Sequence, residues 1–426
     1  MRRRVVITGM GMVTPLGHAV ADTFAALLEG RSGVARTTHF DARTFPTSFA
    51  AEVKGFDLGR FVPDAGRFDK CGSNTRFGLA AARQALEDAD LLSGGDRTGL
   101  GVYCGSGEGS EDFTGVISGV GNSTADGRAV DTGAFTRTLF SLLDPAREHE
   151  LEMHTTAGRL ADEFDLGGPN LTCLTACAAS AQAVGEAAEL IRHGDAPVML
   201  AGGSHSMIHP FGVSGFNLLT ALSQRNDAPE RASRPFDLNR DGFVLGEGAG
   251  MVVLEDLAHA TARRAHIYAE LTGYGTTGDA YRMTDPHPDG RGAVSAIRNA
   301  LADAGLRPED IGYVNAHGTS TGANDSAETK ALKSALGPHA YRCPVSSSKS
   351  MLGHLIAAGG VVELMVAVLA MRRGVLPPTT NYETPDPECD LDYVPNTARE
   401  VAGVRHVLSN SFGFGGQNIT LIASKF

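Results

Sequence analysis

The side chains of this chain best suited to covalent chemistry are cysteine, histidine and lysine residues set in Gly/Ser/Thr-rich turns. Cys177 stands first, in L-T-C-L-T-A-C-A-A-S-A-Q, between a short β-branched run at 171–175 and an alanine-rich helical stretch at 178–193 closed by Gly194. A cysteine at such a junction meets unpaired backbone N–H groups and the positive end of a helix dipole. Both favour the thiolate, which is the nucleophile. Alanines at 178, 179, 181, 183, 187 and 188 let that helix pack backbone-close, so it should be central and buried, with Cys177 at the bottom of a pocket. On this stretch alone, a small buried hydrophobe is the competing reading of Cys177.

Three further stretches carry chemistry beside it. His317 lies in Y-V-N-A-H-G-T-S-T-G-A-N-D-S-A-E-T, just after a strand, with Asp325 and Glu328 on the helix that follows. Lys349 and His354 lie in V-S-S-S-K-S-M-L-G-H-L-I-A-A-G-G, between a strand and an apolar helix, and Phe414 lies in the terminal N-S-F-G-F-G-G-Q-N loop. Each histidine occupies a turn at a strand exit, which is where open α/β sheets place ligands. A single histidine is more often structural. Two at strand exits, in a chain with a helix-capped cysteine, point to catalysis.

The elements that must position these residues alternate from end to end. Strands are expected at 5–8, 98–104, 198–201 and 251–254, and helices at 22–29 and 75–92. A restart at 267, I-Y-A-E-L-T-G-Y-G, echoes the opening V-V-I-T-G-M-G. Alternation of this kind implies an α/β fold with sheets covered on both faces, and the echo hints at a duplication with halves 1–260 and 261–426. Residues 105–128 and the charged run 144–152 do not read as regular structure; they form a lid or pocket wall, or a solvated surface excursion.

Composition sets limits. Hydrophobic content of 42% with 20% charge is ample for a large core and argues against disorder. Six cysteines scattered over 426 residues suit a reducing compartment, and no His/Cys pair follows Cys173 and Cys177 at zinc-like spacing, so no metal is expected. A net charge of −12 argues against nucleic acid and against a basic membrane-binding face. The apolar run near 357–371 is interrupted by Glu363 and ends at Arg372, which reads as a buried core helix rather than a membrane span. The N-terminal apolar run is too short for a signal peptide, so a cytoplasmic location is expected.

At these motifs the chain resembles a β-ketoacyl-acyl-carrier-protein synthase of the elongating type. T-A-C-A-A-S is similar to the family's cysteine motif, N-A-H-G-T-S-T to its first histidine motif, S-S-K-S-M-L-G-H to its lysine and second histidine motif, and G-F-G-G-Q-N to its C-terminal loop. The resemblance implies the five-layered αβαβα thiolase fold built from two duplicated halves, usually a homodimer. It also implies decarboxylative condensation of a cysteine-bound acyl group with malonyl-acyl carrier protein. No cofactor is implied, because the substrates ride on the phosphopantetheine of the carrier.

The resemblance also assigns roles. Cys177 is nucleophile and leaving group, and neutral His317 and His354 donate to the enolate left by loss of carbon dioxide. The dipole of the 355–371 helix is expected to keep His354 neutral. The backbone N–H groups of Cys177 and Phe414 match an oxyanion hole, and Lys349, anchored by Glu328, orients the second histidine. Thr319 and Thr321 match positions that bind the phosphopantetheine arm, while Phe216 and Phe414 match gating aromatics. An acidic carrier protein would dock on Arg60, Arg67, Lys70 and Arg76.

Neighbouring families are separable. Thiolases use a second cysteine near the C-terminus, whereas the last one here is Cys389. Initiating condensing enzymes use Cys-His-Asn, and non-catalytic chain-length-factor subunits lack the nucleophile. The length suggests a stand-alone type II enzyme, as a homodimer or in a heterodimer with a related subunit. Glu108, which matches the acyl channel wall, and Gln417 depart from the usual pattern, as does the 128–155 segment. They leave a specialised polyketide or polyene ketosynthase as the alternative to fatty acid elongation.

Overall fold

The computed structural model describes residues 2–94, 96–107, 113–124, 127 and 129–426. Ten strands form its frame: β1 (Val5–Val13), β2 (Leu100–Ser106), β3 (Asn170–Cys173), β4 (Val198–His205), β5 (Gly248–Asp256), β6 (Ala269–Gly278), β7 (Tyr313–Asn315), β8 (Val345–Ser346), β9 (His406–Gly413) and β10 (Gln417–Ser424). Their order is β8-β7-β9-β10-β6-β1-β5-β4-β2-β3.

Divided between β6 and β1, this sheet becomes two five-stranded units of one topology, β3-β2-β4-β5-β1 and β8-β7-β9-β10-β6. Directions match as well. In the first unit β1–β5 and β5–β4 are antiparallel while β4–β2 and β2–β3 are parallel. In the second, β6–β10 and β10–β9 are antiparallel while β9–β7 and β7–β8 are parallel. The echoed sequences mark β1 and β6, which join the units through Val6–Glu270 and Ile7–Ala269.

Six helices complete the layers: α1 (Ser73–Asp88), α2 (Thr155–Phe164), α3 (Ala179–His193), α4 (Arg291–Ala304), α5 (Gly322–Leu336) and α6 (Gly359–Arg373). α1 and α2 cover the outside of the first unit, and α4, backed by α5, covers the second. Between the units lie α3 and α6, each packed on strands of both. Every residue of α6 from Gly359 to Met371 is buried, so its pattern carries no amphipathic stripe. The two central helices approach closely because Gly360 has no side chain; a Cβ there would lie 2.7 Å from that of Ala181. Strands β1 and β5 are buried almost throughout, as strands covered on both faces must be.

The described residues of the segments read as irregular are largely helical. Phe113–Asn122 packs against Thr132–Leu142, and Phe113 stacks edge-on to Phe211 at 4.8 Å, tying this hairpin to the helix Pro210–Leu218. The charged run 144–152 is no lid. Asp144 pairs with Lys70, and Glu150 is buried, accepting bonds from Thr75 and Arg159, so the run is fastened to α1 and α2. Charge suggested solvent there because the partners are distant in sequence. Among the described residues, no helix is long and apolar enough to cross a membrane.

Candidate active site

Cys177, His317, Lys349 and His354 follow β3, β7 and β8, and Phe414 sits in the β9–β10 turn, so one end of the paired units gathers all of them. In each unit a strained residue opens a single 3-10 turn ahead of the central helix: Ala176 (φ 46°) before α3 and Ile356 (φ 43°) before α6. Left-handed backbone at alanine, and more so at β-branched isoleucine, is costly and persists only where packing enforces it. The duplication is therefore repeated at the site itself, with Cys177 emerging from the first of these turns.

The Cys177 sulfur and one ring nitrogen each of His317 and His354 lie within 4.8 Å of one another, all buried. The two imidazoles meet edge to face at 5.3 Å. His354 Nδ1 accepts a hydrogen bond from the backbone N–H of Ile356 at 3.2 Å, so the ring proton sits on Nε2. That Nε2 has no partner among the described residues and is free to donate to a bound oxygen. Burial, with the Lys349 charge second, holds both histidines well below the usual imidazole range. They stay neutral, but burial and Lys349 replace the helix dipole as the cause.

The expected thiolate is corrected in the same way. Burial pushes the Cys177 thiol up to about 11, against the opposing pull of Lys349 and of N–H groups of Phe414 and Cys177 aimed at the sulfur. Desolvation disfavours the charged form more than these groups favour it. Iodoacetamide labelling of Cys177, followed by peptide mass spectrometry, should accelerate about tenfold per pH unit from 7 to 10, tracking a small but growing thiolate fraction. A rate that levels off near pH 8 would restore the low-pKa reading.

Lys349 does not reach Glu328. Its ammonium donates to Glu363 Oε1 at 2.5 Å, inside the protein. Glu328 instead accepts from the backbone N–H groups of His317 (2.9 Å) and Gly318 (2.8 Å) and from Asn410 (3.1 Å). It clamps the turn that presents the first histidine rather than orienting the second. Burial raises Glu363 to about 7, with Lys349 opposing. Glu363 is visible in the sequence as the lone carboxylate in an apolar helix, where its burial requires a cation; by position alone it argues only against a membrane span.

Two cavities meet at Cys177. One, of about 410 Å³, is polar-rimmed and bordered by Thr319, Thr321, Asn324, His317, His354 and Phe414. The Thr319 and Thr321 hydroxyls bond each other at 2.9 Å, and Thr321 caps α5. The other, of about 680 Å³, is mainly apolar, with Ala176, Phe211, Phe216, Ile356 and Phe414 on its wall. Phe414 borders both, whereas Phe216 borders only the apolar one and packs edge-on to Phe243 at 5.5 Å. Positive φ at Gly415 (85°) and Gly416 (80°) makes the sharp turn that carries Phe414 to the sulfur. Glu108 lies outside the described residues. His205, overlooked in the sequence, lines the apolar cavity, and Gln417 lines it too.

The chain matches the family described as beta-ketoacyl synthase, N-terminal domain, over residues 2–260, and its C-terminal domain over 268–383. It is 45% identical to a 3-oxoacyl-[acyl-carrier-protein] synthase 2 from Coxiella burnetii, with 100% of this chain and 99% of the relative aligned. It is 44% identical to the protein of that name from Synechocystis, with the same coverage. Among solved structures, a beta-ketoacyl synthase from Burkholderia phymatum superposes with a TM-score of 0.88 at 36% identity, over 100% of both chains. A complex of a type II PKS acyl-carrier protein with its ketosynthase bound to the hexaketide gives 0.88 at 34%, again over both chains in full.

Proposed function

The chain belongs to the β-ketoacyl synthase family, and from that premise we propose that it condenses a Cys177-bound acyl group with malonyl-acyl carrier protein, as in fatty acid elongation. The observation that carries this reading is the meeting of Cys177, His317 and His354 where a polar cavity joins an apolar one.

The phosphopantetheine arm enters past Thr319 and Thr321, and the acyl chain passes into the apolar cavity. Cys177 Sγ attacks the thioester carbonyl, whose oxygen becomes an oxyanion held by the N–H groups of Cys177 and Phe414. The bond to the carrier sulfur breaks, and the carrier leaves as a thiol, its sulfur taking up the proton that Cys177 gives up. A malonyl thioester then occupies the polar cavity, and its C–C bond to the carboxylate breaks. The electron pair flows onto the thioester oxygen, where His354 Nε2–H and His317 stabilise it as carbon dioxide departs. The enolate carbon attacks the acyl carbonyl, and Cys177 leaves as thiolate, giving a 3-oxoacyl thioester two carbons longer. No cofactor is required by these steps.

The halves 1–260 and 261–426 supply the nucleophile and both histidines respectively. A second copy pairs along the edge strand β3, which leads straight to Cys177 and leaves Leu171 and Leu174 exposed; exposed edge strands favour such pairing. Within the expected docking cluster, Arg67 already pairs with Asp162 and Glu163, and Lys70 with Asp144. Arg60 is exposed and carries no ion pair among the described residues, so an acidic carrier engages it first.

Purified protein given acyl- and malonyl-carrier protein should gain the acyl mass on Cys177 and release the elongated 3-oxoacyl carrier. The Michaelis constant for the carrier should rise with salt, and light scattering should give twice the chain mass. No acyl adduct, or a product without two added carbons, would sink the reading. A constant flat in salt would remove the Arg60 surface, and a single-chain mass would remove the paired edge.

A further inference from the structure

His205 ends β4 and is 1% exposed, yet among the described residues neither ring nitrogen has a hydrogen-bond partner. His205 is among the residues that line the apolar cavity shared with Cys177. It is seated there by its surroundings: a Cβ on Gly107 would come within 2.3 Å of His205 Nδ1, so only glycine leaves room for the imidazole. Burial drives the ring down to about 3, so it is neutral and offers one donor and one acceptor. Gln417, on the same wall, has a buried Oε1 that is likewise unpartnered among the described residues. No Lys, Arg, Asp or Glu lines this cavity among the described residues.

Polar atoms buried beside an apolar cavity without partners carry a standing cost, which a plain hydrocarbon leaves in place and an oxygen on the chain relieves by bonding them. A charged chain terminus would find no counter-charge among the described residues there. The remaining match is a neutral oxygen. We propose that His205, assisted by Gln417, selects acyl chains bearing a hydroxyl or oxo group within the chain over fully saturated ones. This rests on the condensing reaction above and shifts its preferred acyl substrate from the saturated chains of fatty acid elongation to oxygenated ones.

The test is a competition among octanoyl, hydroxyoctanoyl and oxooctanoyl groups on acyl carrier protein, with the oxygen moved along the chain, read as initial acylation of Cys177 by intact-protein mass spectrometry. The wild-type protein should load at least one oxygenated isomer about 10- to 100-fold faster than octanoyl. In His205→Leu that ratio should fall to near one, while His205→Asn, which keeps a donor and an acceptor, should retain part of it. Gln417→Leu should reduce the ratio as well, which keeps the test open if His205→Leu melts early. No preference in the wild type at any oxygen position overturns the proposal, as does one that persists unchanged in His205→Leu. Absence of any adduct on Cys177 overturns the condensing reading itself, and this proposal with it.

Discussion

Cys177→Ala should lower condensation by at least about 10⁴-fold while malonyl decarboxylation continues. In the proposed reaction the sulfur alone forms and breaks the acyl bond, whereas the enolate is stabilised by ring nitrogens on β7- and β8-derived turns that this substitution does not touch. The reciprocal variants, His317→Ala and His354→Ala, should still take up acyl groups but lose about 10²- to 10³-fold in decarboxylation, the usual cost of one preorganised donor. Intact-protein mass spectrometry reads acylation, and carbon dioxide release reads the second step. Acyl transfer to another residue in Cys177→Ala would refute the nucleophile assignment. Equal loss of both half-reactions in the histidine variants would refute the division of labour.

The second large effect lies one layer deeper. Lys349→Ala leaves Glu363 buried without its cation, and breaking such a pair costs about 3–5 kcal/mol. Its pH dependence follows from the direction of the carboxyl shift. Glu363 already sits near 7 in the folded protein against an ordinary value of 4.5, and Lys349 is what opposes a further rise. A carboxyl raised on folding stabilises below the unfolded value and loses that contribution as pH climbs through the folded one. Below about 7 the folded carboxyl is protonated with or without Lys349, so the deficit of Lys349→Ala relative to the unsubstituted chain should be smallest there and widen as pH climbs above 7.

Lys349→Ala/Glu363→Leu should recover most of the stability, because no buried charge is left unpaired. It should not recover reactivity: without the ammonium the Cys177 thiol rises further, and labelling at pH 8 should slow severalfold. Denaturant midpoints across pH and alkylation rates decide this. A single variant as stable as the parent, or a double variant whose cysteine labels at the parental rate, would show that Lys349 is neither an ion-pair anchor nor an electrostatic component of the site.

Much of this protein was legible in its residue order. Cys177, His317 and His354 declared themselves because each is a chemically specific side chain in a turn whose flanks carry local signals, an apolar run before and a small-residue helix after. The strand–helix alternation was legible for the same reason, since hydrophobic periodicity is a property of neighbours in the chain. Even the duplication left a trace, in the similarity of the β1 and β6 starts.

Only the tertiary structure decided which carboxylate faces which cation, and what charge each group carries. Glu328 and Glu363 were both available to Lys349, and the choice depends on where α5 and α6 carry the two carboxylates, a relation between distant segments. The dipole argument for a Cys177 thiolate was sound locally but left out the stronger effect, desolvation, which exists only once both units close over the sulfur. His205 was one more polar residue at a strand end until folding placed it, unpartnered among the described residues, beside the apolar cavity that opens at Cys177. Side-chain identity is written in the sequence. Burial and pairing, which set protonation and specificity, arise from long-range packing and appear only in the folded chain.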